Sequence, residues 1–343
     1  MKDLPALRGR SREIEVLGRL LADPAAPPAI LISGPTGVGT TRMALFAARM
    51  HLCQGSGSPG PCGDCAPCGK SLRIIHPDLH VYVPHGALGG GSHRAQEARY
   101  QDHRIEVLER MRAGGPAALR SGGTRYSMAA IRLMRREVMR PADHPGGPRS
   151  VVLDRADALR DAATQNAVLK LLEEPPSGMR ILLTAGSGGE LLDTVRSRLV
   201  EIRLPGLSDR DMAAVASDLD LDVPADEIGA YRGRPGSLVR LLDEEAAVER
   251  ARAEGWLEMI TGGDPGDLAE LARSLSTADS DGQVERTLRQ VADRVDHEHP
   301  DLAPYLIGPI SRGLAALRRG GIAPLVLYTV TIQSRRALAK RPS

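Results

Sequence analysis

Aromatic side chains are scarce: one Trp, one Phe and six Tyr among 343 residues. That scarcity disfavours a surface that binds single-stranded nucleic acid by stacking bases on rings. No apolar run reaches the eighteen or so residues of a membrane span, and the opening MKDLPALRGR lacks the apolar core of a secretory signal. The chain therefore reads as cytoplasmic. An excess of one charge is missing too. Lys+Arg 45 against Asp+Glu 43 leaves +2, so any contact with nucleic acid needs a local patch rather than a global field. Cysteine is confined to four residues, all between Cys53 and Cys68. In a reducing compartment such a cluster points to metal rather than to disulfides.

The length suffices for two or three domains with cores of their own. Hydrophobic residues at 42% and charged residues at 26% are ordinary for a soluble globular chain. Short β-rich apolar runs occur at 29–32, 79–83, 151–153, 181–183 and 200–204, separated by longer helix-like stretches. That alternation predicts a parallel sheet covered by helices, an α/β nucleotide-binding type of domain. From Leu207 onward the pattern is helical only, broken by Gly and Pro at 233–236, 262–265, 299–300 and 320–321. The expected division is an α/β domain over 1–206, a small helical domain over 207–243 and an all-α domain over 244–343. Residues 85–125 carry seven Arg against four acids and predict a helix over 94–112. They read as a surface insertion, with a basic contact surface for DNA or a partner as the alternative.

After the first run comes Ser33-Gly34-Pro35-Thr36-Gly37-Val38-Gly39-Thr40-Thr41, leading into a helix over 42–50. Strand, glycine loop and helix stand in the order a phosphate loop requires. In such a loop the backbone N–H groups cradle phosphate, a lysine spans the terminal phosphates and a hydroxyl binds Mg²⁺. Gly34, Gly37, Gly39 and the Thr41 hydroxyl are present, but Thr40 stands in the lysine's place. A neutral, short side chain there removes the main electrostatic term for hydrolysis. Arg42 is no substitute, because on a helix it lies roughly 200° around the axis from Thr40. Val151-Val152-Leu153-Asp154-Arg155 repeats the theme: Asp154 is the metal-binding acid, while Arg155 replaces the base and cannot accept a proton. The loop then serves either as a bare strand-to-helix turn or as a weak anion site at the helix N-terminus. ATP binding is expected to be weak or absent, and the chain is not expected to be an enzyme by itself.

Cys53, Cys62, Cys65 and Cys68 are spaced by eight, two and two residues, with Pro and Gly between them. Four thiolates so spaced close a tetrahedral shell and leave no position for a catalytic water. Structural Zn²⁺ is the expected occupant; buried reduced cysteines and an iron–sulfur cluster are the alternatives.

Together these pieces resemble the clamp-loader branch of the AAA+ proteins, most closely its delta-prime members, which belong to the bacterial DNA polymerase III holoenzyme. The segment 161–176, with Leu172-Glu173-Glu174-Pro175-Pro176 at its end, is similar to the family's helix and its Leu-Glu-Glu-Pro-Pro signature; Thr194-Val195-Arg196-Ser197-Arg198-Leu199 is similar to the Ser-Arg-Cys motif. The resemblance implies that Arg198 is an arginine finger offered in trans to a neighbouring ATPase subunit. Arg125 to Arg132 looks like the segment before the family's third strand, and Thr184 falls where active members carry a polar sensor. Gly233-Arg234-Pro235-Gly236-Ser237 is similar to the lid motif, with Ser237 where motor subunits place an arginine. The resemblance further implies a lid domain over 207–243, a collar domain over 244–343, and a hetero-oligomer with motor subunits of the tau/gamma type and a delta-type subunit. Through these the chain would help place a sliding clamp on primed DNA at the replisome. The alternatives are an active motor ATPase of the same machine and a zinc-dependent nucleic-acid-binding protein.

Overall fold

The computed structural model describes residues 7–55, 60–113, 123–143, 146–186, 191–240, 244–262, 283–297, 299, 301–319 and 321–340. The chain separates into two compact units, Met1–Val239 and Arg240–Ser343.

In the first unit, β1 (Ala29–Ser33), β2 (Leu79–Tyr82), β3 (Arg149–Leu153), β4 (Met179–Ala185) and β5 (Val200–Arg203) form one sheet in the order β2-β3-β4-β1-β5. Every pair is parallel. The five apolar runs of the sequence form these strands. The central strands β1, β3 and β4 are buried throughout, as a sheet covered on both faces demands. Alternation sorts their side chains between two cores. Leu31, Val151, Leu153, Ile181 and Leu183 pack on α5 (Met128–Val138) and α6 (Ala162–Glu173) through Ile131, Met134, Val168 and Leu171. Ile30, Ile32, Val152 and Leu182 face α1 (Ser11–Ala22) and α2 (Thr40–Leu52) through Leu17, Met43, Ala44 and Ala47.

Side-chain caps start helices where the sequence provides them. Ser127 accepts from the Ala130 N–H to begin α5, and Asp161 accepts from Thr164 to begin α6, which stops before Pro175. A further cluster, with Met212, Val215, Ile228 and Leu238 at its centre, joins α8 (Asp209–Asp218) to the short α9 (Pro235–Val239). Earlier in the chain lie α3 (Ala66–Leu72), α4 (His93–Ala113) and α7 (Asp193–Arg196), the last a single turn before β5.

α4 departs from the reading of 85–125 as a surface insertion. Tyr100 belongs to the core on one face of the sheet and Val107 to the core on the other, so α4 crosses the β2 edge and covers it. Arg104 is itself buried: Nη1 meets Glu137 at 2.6 Å and the guanidinium lies 4.4 Å from the Tyr82 ring centroid. Glu97 pairs with Arg132 and Arg136 of α5. The arginines of this stretch thus partly build the fold instead of forming one free basic face; residues 114–122 lie outside the described set.

The second unit contains α10 (Glu244–Gly262), α11 (Gln283–His297), α12 (Ala303–Arg318) and α13 (Ala323–Leu338), with no strand among its described residues. Leu288, Val291, Leu306, Ile310 and Val330 pack around Trp256, whose indole N–H donates to the Thr331 hydroxyl at 3.0 Å. The expected boundary at 243/244 adjoins residues 241–243, and the break at 262–265 runs into residues 263–282; both segments lie outside the described residues. No described helix is long and apolar enough to cross a membrane.

Candidate functional site

Strand β1 delivers the glycine loop to the N-terminus of α2. Gly37 and Gly39 adopt positive φ, 87° and 100°, which explains glycine at both positions. Gly39 is the residue that turns the chain into α2, so the N–H groups of the first helical turn face the loop.

The two groups suited to Mg²⁺ are in contact with each other. Thr41 Oγ1 donates to Asp154 Oδ1 at 2.6 Å, and the Thr184 hydroxyl donates to the same oxygen at 2.9 Å. Asp154 is 2% exposed, and two hydroxyl donors offset part of its desolvation. Behind it, the buried Tyr126 hydroxyl donates to the carbonyls of Asp154 and Tyr82, and burial raises its pKa well above the ordinary range. Arg155 takes a left-handed conformation (φ 51°), its N–H donating to Thr184 Oγ1 at 2.7 Å. Its guanidinium reaches the Gly123 carbonyl at 2.8 Å.

Thr40 opens α2 with its side chain half-buried. Arg42 lies further into that helix, near Asp218 of α8; burial is the larger influence and lowers its pKa to about 10, so the group stays charged at neutral pH. The helical segment that follows β5 closes on the loop itself. The Gly236 N–H donates to the Gly37 carbonyl at 2.8 Å, and a Cβ on Gly236 would stand 2.9 Å from Gly37 Cα and O. Ser237, on α9, is half-buried in the same turn. Arg10, 3% exposed, spans from the Pro205 carbonyl to the Val38 carbonyl, tying the residues after β5 to the loop. Arg10 falls in no motif, and Tyr126 lies in the Arg125–Arg132 segment without a role read from it: a side chain that serves carbonyls distant in sequence leaves no local pattern.

Arg198 stands two residues past the end of α7, on the surface. Its Nη1 donates to the Thr194 carbonyl at 2.7 Å and its Nη2 meets Glu173 at 2.7 Å.

The four cysteines follow α2 and lead into α3. All four Sγ atoms lie within 4.8 Å of one another, and the Cys53–Cys65 and Cys62–Cys68 pairs are each 3.9 Å apart. A tetrahedron with Zn–S bonds of about 2.3 Å has edges of about 3.8 Å, so the set matches a tetrahedral thiolate shell. A backbone hydrogen bond from Gln54 draws Cys65 down to about 6, whereas desolvation drives Cys68 up to about 12. Desolvation opposes ionisation of Cys53 as well, but backbone donors at Cys62 and Gly55 outweigh it and lower its pKa. This cluster can hold a metal ion.

Residues 9–208, more than half of the chain, match a family model described as DNA polymerase III, delta subunit. The DNA polymerase III subunit delta' of Pseudomonas aeruginosa is 29% identical over 177 residues, which is 52% of this chain and 43% of that protein. Its namesake from Yersinia pestis is 27% identical over 172 residues, 50% of this chain and 39% of that protein. The chain thus spans less than half the length of the curated relatives it matches. Among solved structures, a DNA polymerase III gamma subunit-related protein from Thermotoga maritima is 14% identical, with TM-score 0.49, over 94% of this chain and 98% of that one. The family match takes in the glycine loop, the four cysteines, Asp154 and the segment ending at Arg198, and on that match the chain belongs to the DNA polymerase III delta-subunit family, with delta-prime subunits as its curated relatives.

Proposed function

We propose that this chain is a non-motor, delta-prime-like subunit of a clamp loader, without ATP turnover of its own, that offers Arg198 to the nucleotide site of a neighbouring motor subunit. The observation that carries this reading is Thr40, which stands where the phosphate-binding lysine of the loop is expected. Thr41 and Asp154, the pair suited to Mg²⁺, are retained and in contact, but Thr40 supplies no cation and Arg155 no base. Ser237, in place of a lid arginine, is a third departure around the same loop.

Arg198 carries the chemistry outward. An exposed, permanently charged and planar guanidinium suits a phosphate bound on another subunit, and fingers of this kind contribute about 10³-fold or more in rate. Cys53, Cys62, Cys65 and Cys68 hold Zn²⁺ as a closed structural site that staples the segment between α2 and β2. Residues 207–243 serve as the lid and 244–343 as the collar, where the chain meets motor subunits and a delta-type subunit. The complex acts in the cytoplasm, at the replisome, on the sliding clamp and primer-template DNA.

The test is reconstitution with motor and delta-type subunits, reading DNA-dependent ATPase and clamp loading for the wild type and for Arg198→Ala. A fall of about a hundredfold or more is expected for the variant. Unchanged ATPase and loading would overturn the finger.

A further inference from the structure

Arg198 is held from two sides. Nη1 donates to the Thr194 carbonyl at 2.7 Å and lies 3.3 Å from the Ser197 hydroxyl, while Nη2 meets Glu173 Oε1 at 2.7 Å. A guanidinium is planar, so anchors on both terminal nitrogens set its plane as well as its reach. It carries five N–H groups, of which these contacts occupy three. The two that remain, on Nε and Nη2, are available to a second acceptor, and the side chain is 38% exposed.

The anchors stand on rigid supports. Glu173 is the last residue of α6, whose Val168, Leu171 and Leu172 are buried in the core of the α/β unit. Thr194 belongs to α7, pinned by the fully buried Val195. An ion pair this exposed contributes little to stability, so orientation is its main effect.

We propose that Glu173 is a positioning residue for Arg198: its carboxylate fixes one arm of the guanidinium so that the remaining N–H groups are presented, pre-aimed, to an oxyanion on the neighbouring subunit. The proposal rests on the reading of Arg198 as a finger in trans. With the carboxylate removed, Arg198 explores several rotamers and the neighbour's reaction loses the benefit of a preset geometry. Because the neighbour's nucleotide binds through its own loop, the loss falls on kcat and not on KM for ATP.

The experiment uses the reconstituted clamp loader and compares Arg198→Ala, Glu173→Ala, Glu173→Gln and the double variant Glu173→Ala with Arg198→Ala. Glu173→Ala is expected to lower kcat about 3- to 10-fold with KM unchanged, and Glu173→Gln, which keeps an acceptor at the same reach, to return to within about twofold of wild type. The double variant should match Arg198→Ala alone. Three results would overturn the proposal while leaving the finger intact: normal or raised kcat in Glu173→Ala, a change confined to KM, or an effect of Glu173→Ala that persists on the Arg198→Ala background. If Arg198→Ala is itself inactive as a perturbation, the finger reading fails, and the positioning role fails with it.

Discussion

Thr41 and Asp154 meet directly, the hydroxyl donating to the carboxylate at 2.6 Å. A buried carboxylate needs either a cation or hydrogen-bond donors. Here Thr41 and Thr184 are the donors.

The isolated chain should show no ATP turnover above background in a phosphate-release assay. Thr40→Lys alone should not create it, because Arg155 still stands where a base is required. Robust wild-type turnover that disappears in Thr41→Ala would contradict this account.

Protein purified without chelator should contain about one zinc per chain by metal analysis, and replacing any of Cys53, Cys62, Cys65 or Cys68 by Ser should reduce that content sharply. Because thiolates are the ligands, zinc should be lost more readily to a chelator as pH falls. A metal-free wild type, or iron in place of zinc, would reject the assignment.

The pair of Arg104 with Glu137 should behave unlike the surface pair of Arg198 with Glu173. The first is nearly buried, with side chains 10% and 15% exposed, and Glu137 also accepts from the Tyr82 hydroxyl. Glu137→Ala leaves a desolvated guanidinium and should cost about 3–5 kcal/mol in denaturant unfolding. Glu173→Ala should cost no more than about 1 kcal/mol. Equal losses at the two sites would show that burial is not what separates them.

His80 and His85 make stability depend on pH below neutrality. Burial depresses both to about 4; the positive charges of Arg149 and Arg104 add to the effect at His80, and that of Arg125 at His85. Both therefore stay neutral in the folded protein while the unfolded chain takes up protons below about pH 6.5. The unfolded state binds more protons between pH 6.5 and 4, so stability rises with pH across that window and is lost as pH falls. Melting followed by circular dichroism should show a lower Tm at pH 4.5 than at pH 7, with a smaller difference in His80→Gln. A flat profile would refute the assignment.

Gly236→Ala should disturb the loop from the opposite side. Its Cβ would press on Gly37 Cα and O at 2.9 Å, both backbone atoms that cannot rotate away. A destabilisation of about 1–3 kcal/mol is expected, read as a lower denaturation midpoint. A neutral substitution would mean that the closure between Gly236 and Gly37 is loose.

What motif reading recovered and what it missed divide along one line. Residues 29–41 and 151–155 were legible because the strand, the turn and the helix start are adjacent in sequence, so their local chemistry reports their local geometry. α4 was misjudged as surface because its buried face includes Arg104, and a charged residue in a core carries no apolar signal. The roles of Arg10 and Tyr126 were not legible because they are hydrogen bonds to backbone groups distant in the chain.

The sequence alone therefore determined the elements, the five apolar strands, the helical second half, the missing lysine and the four-thiol spacing, since each depends on neighbours within a few residues. Only the tertiary structure decided that Thr41 satisfies Asp154, that Gly236 closes on Gly37 and that Glu173 meets Arg198. Those contacts are set by the crossovers of a parallel sheet, which bring residues distant in the chain to the same ends of its strands, a relation that no local pattern encodes.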